Sequence, residues 1–213
     1  MSIIVSTFYW ENFKDLAAKT VEINLRQYCQ RHGYKFLAMN LGAPPSTNPN
    51  EMLILAGRKN TEIALKTLER FPDCEWFFHR DCDSIITNMD MKLEGIVKFF
   101  VDADIITGQD QAGLSMGNFL VRNTERAKSY LREILDGIDN HGYEHEQDFM
   151  WKNPREFVKA APNTWLNAYD CEARLEPLDS LQNWQEGCFL VHMAGMNIEQ
   201  RMSRLDYWMG KVK

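Results

Sequence analysis

Residues 76–86 read Trp76-Phe77-Phe78-His79-Arg80-Asp81-Cys82-Asp83-Ser84-Ile85-Ile86, an aromatic run that meets a histidine, an arginine and two aspartates and then turns apolar again. The aromatic part, residues 74–78, reads as a buried strand. In extended backbone, positions i and i+2 project to one side, so Asp81 and Asp83 can aim both carboxylates at one point while Cys82 faces away. Two hard oxygen donors suit Mg²⁺ or Mn²⁺. An Asp-x-Asp also caps helices and turns. Apolar residues on both sides weigh against that plainer reading, because charges buried without partners or a metal are costly. Alternation points His79 the same way as Asp81 but deeper, as a hydrogen-bonded structural residue. Arg80 pairs either with a phosphate or with a surface acid.

Upstream, Ile3-Ile4-Val5-Ser6-Thr7-Phe8-Tyr9 is a short β-branched run opening onto Asn12, a plausible N-cap. Apolar residues at helical spacing follow from Phe13, and Gly33 supplies a stop. A second strand is expected over 34–41, an exposed loop over 42–50 and a helix within 51–71 that ends before Pro72. Downstream, helices are expected near 91–100, 124–135 and 148–157, and strands at 103–107, 118–121 and 188–193. A C-terminal helix containing Arg201 closes the chain. Strands alternating with helices imply an α/β fold with a mostly parallel central sheet flanked by helices, its ligands beyond the carboxyl ends of the strands. Asp81 and Asp83 fall at such an end.

The 213 residues, 45% hydrophobic and 12% aromatic, are enough for one compact domain. A net charge of -6 leaves no broad cationic surface for a phosphate backbone, which argues against nucleic acid as a partner. No apolar run nears the roughly 20 residues of a membrane span, and Met1-Ser2-Ile3-Ile4-Val5 does not look like a signal peptide. Cysteines 29, 74, 82, 171 and 188 are odd in number and widely spaced, which fits a reducing compartment, and a cytoplasmic location is expected.

Four segments in order carry a family resemblance: residues 75–86; Gly113-Leu114-Ser115-Met116-Gly117-Asn118-Phe119-Leu120-Val121-Arg122-Asn123; Glu146-Gln147-Asp148; and Phe189-Leu190-Val191-His192-Met193-Ala194-Gly195. Together they resemble the GT-A glycosyltransferases, particularly the galactosyl- and xylosyltransferase family of fungal mannan and plant xyloglucan synthesis. The resemblance implies a single Rossmann-like GT-A domain over 1–213, with a nucleotide-binding half at about 1–88 and an acceptor-binding half at about 103–213. It implies a nucleotide-sugar donor, with UDP favoured, and a carbohydrate acceptor.

By that resemblance His192 joins Asp81 and Asp83 as a metal ligand, and Gly195 lets the backbone approach a diphosphate. An imidazole beside two carboxylates suits Mn²⁺ slightly better than Mg²⁺. Gly117 and Asn118 would lie beside the donor sugar or the acceptor, and Gln147 beside the acceptor. Asp148 would be the general base of an inverting enzyme; the plainer reading makes it a first-turn helix acid. Thr7 and Tyr9 would lie near the nucleotide base. Arg58 and Lys59 would reach the pyrophosphate, or else form a solvated turn. The compact, unanchored form looks closest to a bacterial or large-virus domain, one that can be part of a longer multi-domain enzyme. Two rivals remain at this point: a haloacid-dehalogenase-type phosphatase with an Asp nucleophile, and a non-catalytic metal-dependent carbohydrate-binding module.

Overall fold

The computed structural model describes residues 1–110, 113–170 and 182–213; Cys171 lies outside the described residues. Six strands form the main sheet in the order β2 (Lys35–Asn40), β1 (Ile3–Tyr9), β3 (Trp76–Arg80), β6 (Gly113–Arg122), β5 (Ile105–Asp110) and β7 (Val158–Ala160). Only β6 is reversed, antiparallel to both β3 and β5, so the sheet is mostly parallel, as expected. A smaller sheet, which the sequence does not suggest, has the order β4 (Ser84–Ile86), β9 (Leu190–His192) and β8 (Ala168–Tyr169).

Strand alternation divides the core between the two faces of the main sheet. Ile3, Val5, Trp76, Phe78 and Leu120 face one cluster, with Tyr28 from α2 (Arg26–His32) and Leu93 and Ile96 from α4 (Leu93–Phe99). Ile4, Phe8, Phe77, Phe119 and Val121 face the other. Ile63 and Leu68 of α3 (Pro49–Arg70), Leu131 and Ile134 of α5 (Glu125–Asn140) and Phe149 of α6 (Glu146–Lys152) cover it. Emptying one such site, as in Phe78→Ala, costs about 3–5 kcal/mol. A third cluster joins Ile85 and Val191 of the small sheet to Leu16 of α1 (Lys14–Lys19) and to Leu205 and Trp208 of α8 (Ile198–Met209).

Local chemistry sets the helix ends. Asn48 caps α3 through its side chain with Pro49 in the first turn, and an Asn197/Gln200 capping box starts α8. The first helix is less regular than its periodicity suggests, because residues Thr20–Leu25 between α1 and α2 form a π-helical turn. Among the described residues no helix is long and apolar enough to cross a membrane.

Candidate metal and donor site

β3 ends at Arg80, still buried, and the chain turns at once: the Ser84 amide donates to the Asp81 carbonyl at 3.0 Å, and the Asp81 amide to the Gly117 carbonyl at 2.7 Å. The chain then enters β4, whose antiparallel partner is β9, with Ser84 opposite His192. The Met193 amide closes the arrangement onto the Asp83 carbonyl at 3.1 Å. A strand pairing across more than a hundred residues thus sets His192 beside the acid pair. One donor atom each from Asp81, Asp83 and His192 lies within 4.8 Å of the others, a set able to hold a metal ion.

Each carboxylate is anchored by one oxygen and presents the other. Asp81 Oδ1 meets His79 Nε2 at 3.3 Å and Asn60 Nδ2 at 3.5 Å, while Oδ2 lies 3.6 Å from His192 Nε2. Asp83 Oδ2 accepts from Arg201 Nε at 2.9 Å and forms an ion pair with Nη2 at 2.9 Å, while Oδ1 lies 3.3 Å from His192 Nε2. Burial works to raise the Asp83 pKa, but the Arg201 and His192 charges outweigh it and hold the carboxyl well below the usual carboxylate range. Burial likewise works to lower the His192 pKa, and the charge and hydrogen bond of Asp83 leave it raised.

The His192 tautomer follows from its other neighbour. Asn167 donates its amide hydrogens to the Gln109 carbonyl and to Tyr169 Oη, each at 2.7 Å, so its Oδ1 faces His192 Nδ1 at 2.7 Å as an acceptor. Nδ1 therefore keeps its proton in either charge state, and once Nε2 gives up its own, as binding a metal would require, its lone pair faces the acid pair. Two glycines make room. A Cβ on Gly117 would sit 2.7 Å from both Asp81 Oδ2 and His192 Cε1, and one on Gly108 would sit 2.6 Å from Asn167 Cβ. Two acid oxygens and an imidazole nitrogen, pre-aimed with their outer atoms satisfied, fit a divalent cation of the Mn²⁺ or Mg²⁺ type.

These residues floor a cleft of about 360 Å³, also lined by Tyr9, Asn60, Gly57, Glu146, Gln147, Gly195 and Arg201, within the ordinary range for a small-molecule site. Gly195 has φ +76°, in the region glycine favours. Tyr9, Gly117, Gln147 and Gly195 line the cleft with the three candidate ligands. Other expected residues do not. Thr7 and Asn118 are buried within β1 and β6. Arg58 and Lys59 lie within α3, not on a turn: Arg58 pairs with Asp139 at 2.8 Å and Lys59 with Glu62 at 2.6 Å, so neither faces the cleft. Asp148 is also outside the lining. Lys152 sits 2.8 Å from it and holds its carboxyl below the usual range, which makes a weak base.

Arg80 does not line the cleft, and among the described residues no acid lies within ion-pair distance of it. It is fully buried, donating to main-chain carbonyls, and burial pulls its pKa down to about 10. Taking such a cation from water costs on the order of several kcal/mol. Asn60, Asn167 and Arg201 were not expected at the site. Asn and Arg are common, and their helical or loop positions become informative only once the sheets are paired.

A family profile described as galactosyl transferase, GMA12/MNN10 family, matches residues 3–99. A glycosyltransferase involved in glycosylation of the major capsid of PBCV-1 superposes with a TM-score of 0.75 at 17% identity, over 99% of this chain and 100% of that one. The chain has the GT-A glycosyltransferase fold. The galactosyltransferase LgtC, solved with donor and acceptor sugar analogs, agrees at a TM-score of 0.55 and 12% identity, over 97% and 94% of the two chains. Curated relatives include an alpha-1,2-galactosyltransferase of Schizosaccharomyces pombe, 23% identical over 84% of this chain and 56% of its own length. Another is a probable alpha-1,6-mannosyltransferase of Saccharomyces cerevisiae, 23% identical over 88% of this chain and 58% of its own length. The chain thus spans a little over half the length of these relatives. Neither the phosphatase nor the carbohydrate-binding alternative finds support among them.

Proposed function

We propose that this protein is a metal-dependent glycosyltransferase that moves a sugar from a nucleotide-diphosphate donor, UDP-linked by preference, to a carbohydrate hydroxyl. The observation that carries the reading is the convergence of Asp81 Oδ2, Asp83 Oδ1 and His192 Nε2 on the cleft floor of a GT-A fold. Those three side chains would hold the cation, Mn²⁺ by the chemistry of the donor set. When bound, such an ion neutralises the charge that grows on a departing diphosphate. Arg201 keeps Asp83 ionised and stands in the same wall, where its positive charge faces the diphosphate. Gly195 and Gly117 allow close approach of the donor, and Tyr9 flanks the base. The acceptor lies along the α6 side, where Glu146 and Gln147 line the cleft.

A reducing, cytoplasmic setting is supported by cysteines that are odd in number and widely spaced in the sequence. The test is release of nucleoside diphosphate from a panel of UDP- and GDP-sugars. Release that needs Mn²⁺ and disappears in Asp83→Ala is the expected result. No release from any donor with any sugar acceptor would overturn the reading.

A further inference from the structure

Arg80 and the π-helical turn take no part in binding as described above, yet they converge on the backbone of the acid pair. We infer that Arg80, Thr20 and Asn24 form a buried brace that fixes the Asp81–Asp83 turn in its metal-holding shape; this rests on the metal reading above. Three alternate carbonyls of one chain segment are held. Cys82 accepts from Thr20 Oγ1 at 2.6 Å, Ser84 from Arg80 Nη1, and Ile86 from Asn24 Nδ2 at 2.9 Å. Asn24 Oδ1 also accepts from the Ile86 amide at 2.9 Å, which makes that anchor two-pronged. Arg80 Nη2 ties the brace together by donating to the Thr20 carbonyl at 2.8 Å.

The π turn provides this geometry. Its six residues begin at Thr20 and include Asn24, and the side chains of both reach the segment behind the cleft. All three side chains are essentially inaccessible to water. Among the described residues Arg80 has no carboxylate partner within ion-pair distance. Its charge is spent on main-chain carbonyls behind Asp81 and Asp83, where it also offsets their mutual repulsion. Packing alone would be served better by a methionine or leucine of similar volume. Arg80, Thr20 and Asn24 are therefore positioning residues that set the convergence of the acid pair without touching the ion.

The test is Mn²⁺ binding to the protein alone, followed by the loss of the free Mn²⁺ electron paramagnetic resonance signal, in wild type, Thr20→Val, Arg80→Lys and Asp83→Ala. Thr20→Val keeps side-chain shape and removes only the hydroxyl, so it decides the matter if Arg80→Lys does not fold. About a tenfold or greater loss of Mn²⁺ affinity in Thr20→Val, with faster amide exchange over residues 81–86 and the melting temperature nearly kept, is expected. Wild-type affinity in a folded Thr20→Val or Arg80→Lys, while Asp83→Ala loses binding, would overturn the brace and leave the metal site standing. Equal, absent binding in wild type and Asp83→Ala would overturn both.

Discussion

Two acid pairs in this chain share one spacing and end differently. Asp81 and Asp83 flank a single residue, as do Glu146 and Asp148. The first pair leaves a strand into a turn and converges on His192. The second sits on the first turn of α6, where positions two apart diverge by over half a turn. Glu146 consequently lines the cleft, and Asp148 pairs with Lys152 outside it. Spacing alone does not make a site; the backbone that carries it does.

The largest effect should come from breaking the converging pair. Asp83→Ala should lower donor turnover about 10²–10³-fold, measured as nucleoside diphosphate release under saturating Mn²⁺. Next, Gly117→Ala drives a methyl against Asp81 and His192, and titration of Mn²⁺ should show roughly a 10- to 100-fold weaker fit with the fold retained. Asn167→Ala releases the His192 Nδ1 proton from its acceptor, and about a tenfold loss of Mn²⁺ affinity is expected in the same titration.

Acid should act through His192, whose pKa is raised. Protonation at Nε2 removes the lone pair, so Mn²⁺ affinity should fall as pH drops through that raised value, which lies above the usual value of about 6.5. The sign reverses for stability of the metal-free protein. A raised folded pKa contributes stability that is complete below about 6.5 and lost as pH rises through the folded value, a trend that His192→Asn should flatten in melting curves. The smallest effect belongs to the diverging pair. Asp148→Asn removes an exposed ion pair, and both turnover and stability should stay near wild type, within about 0.5 kcal/mol for the latter. A large loss of turnover there would dissolve the contrast between the two pairs.

Much of this was legible in sequence where the signal is local. The aromatic strand before Asp81, the order of strands and helices and the small residues around Gly117 and Gly195 are all short-range patterns. His192 was reachable only through resemblance, because the pairing of β4 with β9 joins residues about half the chain apart. Arg58 and Lys59 were misplaced because α3 begins at Pro49 and carries them outward to Glu62 and Asp139, and Arg80 because its strand runs two residues further than its aromatic part. The π turn has no periodic signature in residues 13–33, so the anchors it sends to residues 82–86 were invisible until the two segments met.

The central claim is that Asp81, Asp83 and His192 hold a divalent cation for a nucleotide diphosphate, and thermal denaturation with UDP tests it most directly. UDP with Mn²⁺ at about a hundred times its dissociation constant should raise the melting temperature by roughly 5–10 °C, with little effect of either alone and none in Asp83→Ala. Equal shifts with and without Mn²⁺, or an undiminished shift in Asp83→Ala, would contradict it.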